Sequence, residues 1–186
     1  MHYLKLTCSS PLQYYAKQHY SPLDGWLYTE KHPTKRAITG MLGAALGIER
    51  GDPSLGMLND NITVKYTTFD KATKTTNKNA RVTTFMDFQT IRPMPGNTFY
   101  NIKGGKITGD AQNSMIKHVE MVTDTVFYVY VGSENRNLLR RIYEALLDPV
   151  FPMYFGKRRC IPNRRISEPD FTLLSEEEIG DVHECL

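Results

Sequence analysis

The most chemically distinctive part of the sequence is a cluster of cations near its end. Lys157, Arg158, Arg159, Arg164 and Arg165 place five positive charges within nine residues. Arginine can hold a phosphate group through two parallel hydrogen bonds, or it can stack on a planar ring. A run of charge more often marks only a solvated surface, so the residues around this cluster have to decide between the two interpretations.

A glycine and two aromatic residues stand immediately before the cluster. Gly156 permits a close approach of another group to the backbone. Tyr154 and Phe155 offer rings on which nucleic-acid bases could stack, an interaction worth about 1–3 kcal/mol per base. Prolines at 152 and 162 bound the segment. This combination favours contact with RNA over a simple solvated surface.

A second candidate is the start of a predicted helix, in the segment P-T-K-R at residues 33–36. Thr34 can cap the helix with its hydroxyl group. Lys35 and Arg36 would then lie in the first turn, where the helix dipole already disfavours cations. A bound anion reverses this effect, because backbone N–H groups, the dipole and both side chains would converge on one phosphate. Two exposed surface cations are the alternative.

The adjacent residues Lys117 and His118 could instead do catalysis. Histidine can take a proton from a ribose 2′-hydroxyl near neutral pH, and lysine can stabilise the developing phosphorane charge. Consecutive residues of a strand point to opposite faces, so this pair could act together only in a loop or a bulge. The sequence therefore favours binding without catalysis, with a nuclease as the alternative.

Several elements must position these residues, and hydrophobic periodicity locates them. Alternation of apolar and polar residues predicts strands at 3–8, 62–69 and 82–90, and a β-forming run predicts a central strand within 119–131.

Helical spacing predicts one helix that follows Thr34 and ends at Gly47, and a second helix that Ser133 caps, with Glu134 in its first turn. This order predicts an α+β fold with the β-α-β-β-α-β plan of ferredoxin-like or RRM-like domains. A long insertion separates the second and third strands.

Composition limits the class of protein further. The three cysteines Cys8, Cys160 and Cys185 are widely spaced, which predicts reduced thiols and a cytoplasmic location. Lys5 interrupts the first apolar stretch, so we expect no signal peptide, and no apolar run reaches the ~20 residues of a membrane span. The histidines are scattered, and we expect no metal, no cofactor and no membrane partner.

Charge is distributed unevenly along the chain. The formal net charge is +3, but the last 19 residues hold seven acidic residues and no Lys or Arg. Residues 1–167 therefore carry a formal charge of +10. A body this basic attracts polyanions, of which nucleic acid is the commonest.

Two long motifs together resemble one known family. The segment P-T-K-R-A-I-T-G-M-L-G-A-A-L-G-I-E-R-G-D at 33–52 resembles the first-helix motif of the CasD (Cas-five) family, and P-M-Y-F-G-K-R-R-C-I-P at 152–162 resembles its arginine-rich loop. The opening from Leu4 to Gln13 is similar to the family's first strand. The family belongs to the RAMP proteins of type I CRISPR systems, and the resemblance is strongest to the type I-E branch.

The resemblance implies a concrete role. Members of the family bind the 5′ handle of the CRISPR RNA (crRNA) and cap the backbone of the Cascade complex, and for this chain we expect that role to be non-catalytic. The implied partners are the crRNA handle, a backbone subunit and the large subunit, with target DNA bound indirectly through the complex. The implied fold is a single RAMP domain over residues 1–186, with a projecting β-hairpin thumb at about 76–119. The predicted RNA contacts are Thr34, Lys35, Arg36, Arg92, Lys117, His118, Tyr154, Gly156, Lys157, Arg158, Arg159, Cys160 and Arg164.

The resemblance also carries the alternative function. Type I-C relatives cut precursor crRNA without metal, using Tyr, Lys and His side chains, and Lys117 and His118 would be the matching residues here. The acidic tail at about 168–186 has no counterpart in the family pattern. We expect it to be disordered or to lie on a neighbouring subunit.

Overall fold

The computed structural model describes residues 1–17, 26–91, 101–103, 106–108, 115–163, 165–167 and 170–185. The helices are α1 (Lys35–Ala45), α2 (Pro53–Asn61) and α3 (Arg136–Leu147). The strands are β1 (His2–Ser9), β2 (Leu12–Gln13), β3 (Trp26–Leu27), β4 (Thr63–Asp70), β5 (Thr75–Thr76), β6 (Thr84–Ile91), β7 (Asn101–Lys103), β8 (Lys106–Thr108), β9 (Met115–Thr123), β10 (Val126–Ser133), β11 (Leu173–Leu174) and β12 (His183–Glu184).

The main sheet has the strand order β11-β1-β10-β4-β12, and each neighbouring pair in it is antiparallel. β1 and β10 pair along their whole lengths. Alternate residues of β1, namely Leu4, Leu6 and Cys8, lie in the hydrophobic core. The strands predicted at 3–8 and 62–69 are confirmed, and so is the α+β class.

Helix α1 begins where the sequence predicts. The Thr34 side chain accepts a hydrogen bond from the Ala37 N–H, with an oxygen to nitrogen distance of 3.3 Å. Gly47, just beyond the end of the helix, has a φ of +76°, a left-handed conformation that favours glycine. Ile38 and Leu42 bury one face of the helix in the core. Sequence pattern alone therefore locates both ends of α1.

The start of α3 differs from the prediction. Asn135, rather than Ser133, is the N-cap, because its side-chain oxygen accepts hydrogen bonds from the N–H groups of Asn137 and Leu138. Ser133 is the last residue of β10, and its hydroxyl group donates to the Asn61 carbonyl oxygen. The predicted cap is wrong because a strand residue uses the hydroxyl for a tertiary contact.

The central strand predicted within 119–131 is confirmed by β10, which lies between β1 and β4, but residues 119–123 belong to a different strand. Asp124 has a φ of +48° and divides the run into β9 and β10, which belong to different sheets.

Helix α2 was not predicted, although Asp52 caps it by accepting from the Ser54 N–H and Pro53 occupies its first turn. α2 has a weak apolar face and buries only Leu58 among its residues.

A second sheet contains β2, β9 and β3 in that order, with β6 paired to β9. β6 and β9 form an antiparallel ladder from Thr84 opposite Val122 to Ile91 opposite Met115. β7 and β8 form a separate antiparallel pair. These strands account for much of the predicted insertion at 76–119. That the insertion projects as a thumb toward another subunit stays a prediction.

The acidic tail folds back on the main sheet, contrary to the expected disorder. β11 pairs with the outer edge of β1, and β12 pairs with β4. Ile179 and Cys185 are buried, with exposed fractions of 6% and 4%. Apolar residues between the acids therefore dock the segment.

Among the helices that the structure describes, none has the length and apolar character of a membrane span.

We expect the substitution Gly40→Ala to stabilise the fold. Gly40 lies on the exposed side of α1, and a Cβ added there meets nothing within 4 Å. Alanine is favoured over glycine inside a helix by about 1 kcal/mol, so the free energy of unfolding in urea should rise by about that amount. Gly43→Ala is the comparison, because its Cβ would come within 2.5 Å of a Leu55 methyl group and should gain less. A loss of stability in Gly40→Ala would contradict an open surface at this position.

Candidate nucleic-acid interface

The arginine-rich segment is a tight loop closed by its own backbone. The Phe155 N–H donates to the Cys160 carbonyl oxygen at 2.9 Å, and the Cys160 N–H donates to the Lys157 carbonyl oxygen at 2.8 Å. Phe155 is 1% exposed and lies in the hydrophobic core. The prediction that Phe155 offers a ring for stacking is therefore wrong. Its ring instead anchors the loop that carries the cations.

Gly156 allows the loop to pass close to the segment after β2. Its φ is +88°, and an added Cβ would lie 1.7 Å from the Tyr14 carbonyl oxygen. The Tyr14 N–H donates to the Phe155 carbonyl oxygen at 3.0 Å. The backbone of Tyr14 thus makes the close approach that the glycine permits. This contact fixes the position of the cations that follow Gly156.

The cations at the tip of the loop lie close to one another. The Lys157 ammonium nitrogen is 4.3 Å from the centre of the Tyr14 ring. Burial lowers the pKa of Lys157, and the positive charges of Arg159 and Lys117 lower it further. Arg159 forms an ion pair of 2.5 Å with Asp87 of β6. This cluster of positive charge spans the loop and the second sheet, and a bound anion would relieve the repulsion within it.

The remaining loop residues differ in how far they are accessible. Arg158 and Gly156 are exposed, and Tyr154 is half-buried. The Cys160 side chain is fully buried, and burial raises the pKa of its thiol. Both backbone polar groups of Cys160 close the loop, so its part in the site is to hold the shape. Arg92 and Arg164 lie outside the described residues.

The start of α1 carries the other predicted contacts. The Thr34 hydroxyl serves as the helix cap, Lys35 is half-buried and Arg36 is exposed. The segment that precedes the helix is bonded to a residue next to the loop's partner Tyr14, because the Tyr15 carbonyl oxygen accepts from the Glu30 N–H at 2.7 Å. That Lys35 and Arg36 face one groove with the arginine-rich loop stays a prediction.

Lys117 and His118 lie on opposite faces of β9. His118 is opposite Trp26 of β3 on one side and Phe88 of β6 on the other. Its ring stacks on Trp26, with ring centres 4.0 Å apart, and meets the edge of Phe88 at 4.8 Å. The positive charge of Lys117 instead acts on Lys157. A regular ladder with partners on both sides of β9 thus separates the two side chains.

Sequence reasoning missed the aromatic stack around His118. Trp26 is 39% exposed and Phe88 is 68% exposed. Trp26 is the single tryptophan of the chain, and its rarity was the one feature of the sequence that could have drawn attention to this site. Its contact with His118 depends on a parallel pairing between distant segments, which no local pattern reveals.

The described residues hold no group of three or more His, Cys, Asp or Glu side chains that could bind a metal ion. The loop itself presents cations beside the buried Tyr14 ring and the half-buried Tyr154. Such a surface binds phosphate and ribose by charge and hydrogen bonding.

Comparisons with known proteins give the family and the fold of the chain. The family model described as CRISPR-associated protein (Cas_Cas5) matches residues 9–181. One similar solved structure is described as "CRISPR RNA-guided surveillance complex", with a TM-score of 0.66 and 20% identity, covering 88% of this chain and 61% of that chain. Another is described as "Crystal structure of Cas protein", with a TM-score of 0.57 and 21% identity, covering 90% of this chain and 63% of that chain.

No curated protein sequence matches the chain. At 20% and 21% identity, the two solved structures show similarity of fold alone. The chain spans 61% and 63% of the lengths of those two structures. The family model, in contrast, matches nearly the whole sequence, and on that match the chain belongs to the Cas5 family of CRISPR-associated proteins.

Proposed function

We propose that this protein is a non-catalytic subunit of a Cascade surveillance complex, in which it binds the 5′ handle of crRNA and caps the backbone. The observation that carries the proposal is the loop at 154–160, whose cations are held in place by the buried Phe155 and by Gly156, which adopts a left-handed backbone conformation. A preformed cationic loop binds RNA without the entropic cost of ordering it.

The charges of the loop suit a ribose-phosphate chain. Arg158 is exposed, Arg159 is held toward β6 by Asp87, and Lys157 lies against the Tyr14 ring. Lys117 contributes a fourth positive charge from the second sheet. Cations at different directions around one loop can bind consecutive phosphates, whereas a single point charge cannot define the path of the strand.

The finer description of the fold belongs to the same proposal. The four strands of the β-α-β-β-α-β plan are β1, β4, β10 and β11, and α1 and α3 are its helices. The observed order β11-β1-β10-β4 places the fourth strand beside the first, the third on the other side of the first, and the second at the far side. This arrangement supports a ferredoxin-like RAMP domain, with β6 and β9 as the base of the thumb.

The partners follow from the proposed place in the complex. The thumb at about 76–119 would contact the adjacent backbone subunit, and the domain would also meet the large subunit. Target DNA would then reach this protein only through the complex. The two exposed phenylalanines of β6, Phe85 and Phe88, support a protein contact there, because they are 46% and 68% exposed.

The geometry of β9 supports binding without cleavage. General base and phosphorane stabiliser must reach the same phosphate, within hydrogen-bonding distance of the reacting atoms. Lys117 and His118 point to opposite faces of a paired strand, and His118 stacks on Trp26 and meets Phe88 edge-on. The alternative, a metal-independent endoribonuclease that processes precursor crRNA, would require this ladder to rearrange.

The test is incubation of the purified protein with RNA that contains the repeat, in the presence of EDTA. We expect the protein to shift the RNA in a native gel and the RNA to remain intact in a denaturing gel. Lys117→Ala should weaken the shift because it removes a cation from the cluster.

His118→Ala is the control that separates the two functions. Under the proposed function it leaves the RNA intact, as the wild type does. Specific cleavage by the wild type that disappears in His118→Ala would contradict the non-catalytic role and show that the protein is an endoribonuclease.

A further inference from the structure

The face of the main sheet opposite the helices carries aromatic rings and lysines. In β1, Tyr3 and Lys5 alternate with core residues and therefore lie on this outer face. Tyr128 and Tyr130 of β10 share it, because Lys5 is opposite Tyr130 in the register. Lys65 of β4 lies opposite Tyr130 on the other side. We call these five residues the outer-face cluster.

The acidic tail covers one end of this cluster. Ile179 packs against Tyr3 and Tyr130 in a small hydrophobic cluster separate from the main core. The Glu176 carboxylate accepts hydrogen bonds from the Tyr3 hydroxyl and the Lys65 ammonium group. The outer face thus holds an anion through a lysine and a phenol, above aromatic rings.

At the other end, Tyr128 packs against the same small hydrophobic cluster but stays half-buried. The Lys5 ammonium nitrogen lies 4.3 Å from the centre of the Tyr128 ring, and Phe69 meets that ring edge-on at 6.0 Å. All three side chains are half-buried. A cation beside an accessible ring is the pair that recognises a nucleotide, since the base stacks and the phosphate meets the charge.

The covering segment is a loop between two short anchors. β11 and β12 each pair through two residues, and the loop between them turns at Gly180, which has a φ of +67°. The Glu176 and Asp181 side chains, which reach Lys65 and Lys78, are 56% and 74% exposed. Exposed ion pairs of this kind are weak and are screened by salt. Displacement of the loop therefore costs two weak ion pairs and the burial of Ile179, and β12 can stay paired while it happens.

We propose that the outer-face cluster is a second binding surface for single-stranded RNA, and that the loop at 175–182 occupies part of it in place of a phosphate. The Glu176 carboxylate stands where an RNA phosphate would bind, and a base stacks on Tyr128. This surface shares no residue with the arginine-rich loop, so it goes beyond handle binding. The acidic loop makes the surface selective, because weakly bound RNA does not displace it.

The test compares two variants with the same change in net charge. Glu176→Gln with Asp181→Asn removes both ion pairs of the loop and so weakens its hold on the face, whereas Glu49→Gln with Asp60→Asn removes two exposed acids elsewhere. The probe is a short fluorescent oligouridine, which lacks any handle sequence, and anisotropy measures its affinity for the full chain. We expect the first pair to bind about tenfold tighter than the wild type, and the second pair to change affinity by less than about twofold.

A third substitution locates the gain. Tyr128→Ala added to the first pair should abolish the tighter binding, whereas Arg158→Gln added to the first pair should leave the gain in place. The second result separates this surface from the proposed handle site. Equal tightening in both charge-matched pairs, or a gain that survives Tyr128→Ala, overturns the proposal.

Photocrosslinking covers the case in which the released variant fails to fold. Wild-type protein and 4-thiouridine RNA at low salt should give crosslinked peptides from β1 or β10. Crosslinks confined to the arginine-rich loop overturn the proposal. If the outer face binds a protein instead, RNA does not bind there, and the crosslinks are confined to the arginine-rich loop.

Discussion

Glutamine in place of both Arg158 and Arg159 should lower the affinity for handle RNA by about a hundredfold at moderate salt. Each arginine can supply a charge-assisted hydrogen bond to phosphate worth about 1.5–3 kcal/mol, and the two side chains leave the same loop. Loss of two phosphate contacts should also reduce the salt dependence of binding, by about 1.4 in the slope of log K against log salt for a single strand. Filter binding across a salt series measures both quantities.

The control for this variant is Arg50→Gln with Arg136→Gln, which removes two exposed arginines at the ends of other elements. Its affinity should fall only slightly, through the change in overall charge. Melting temperatures should be similar in both variants, because Arg158 is exposed and Arg159 makes one surface ion pair with Asp87. Equal losses of affinity in the two variants would show that charge alone, and not the loop, binds the RNA.

The substitution Gly156→Ala should be the most damaging single methyl group in the protein. The added Cβ would lie 1.7 Å from the Tyr14 carbonyl oxygen, and a φ of +88° strains any residue with a side chain. The loop must move away from Tyr14, which breaks the Tyr14 to Phe155 hydrogen bond and opens the core at Phe155. We expect the free energy of unfolding to fall by about 3 kcal/mol or more, measured by urea denaturation.

Gly51→Ala separates backbone strain from the clash. Gly51 has a φ of +94°, but an added Cβ there meets nothing within 4 Å. Its cost should therefore be the strain alone, about 1–2 kcal/mol. RNA binding should survive in Gly51→Ala and be lost in Gly156→Ala even below its melting temperature. Similar effects of the two substitutions would mean that the contact between the loop and Tyr14 does not position the cations.

Local patterns predicted the elements that have a strong local signal. α1 has a cap at Thr34, a regular apolar face and a left-handed glycine at its end, and each lies where the sequence indicates. The boundary between β9 and β10 has only a weak signal, the polar stretch at 123–125 around Asp124, which adopts a positive φ. Pairing with different partners, rather than propensity, separates these strands.

The candidate site was predictable in its charges and not in its geometry. Lys157, Arg158 and Arg159 could be identified from their close spacing in the sequence. The burial of Phe155 and the stack of Trp26 on His118 arise from contacts between distant segments, which periodicity cannot supply. The same reasoning explains the tail. Its acids suggested a solvated segment, but Ile179 and Cys185, spaced among them, are what dock it.

The way the tail completes the main sheet has a consequence for synthesis of the chain. β1 is synthesised well before its outer neighbour β11, and β4 well before β12. A ribosome-bound intermediate therefore exposes the edges of β1 and β4 until these two late strands have emerged. Unpaired edges of this kind can pair with other nascent chains, and contacts between segments far apart in the sequence form slowly. Yield should consequently depend on chaperones and on growth temperature.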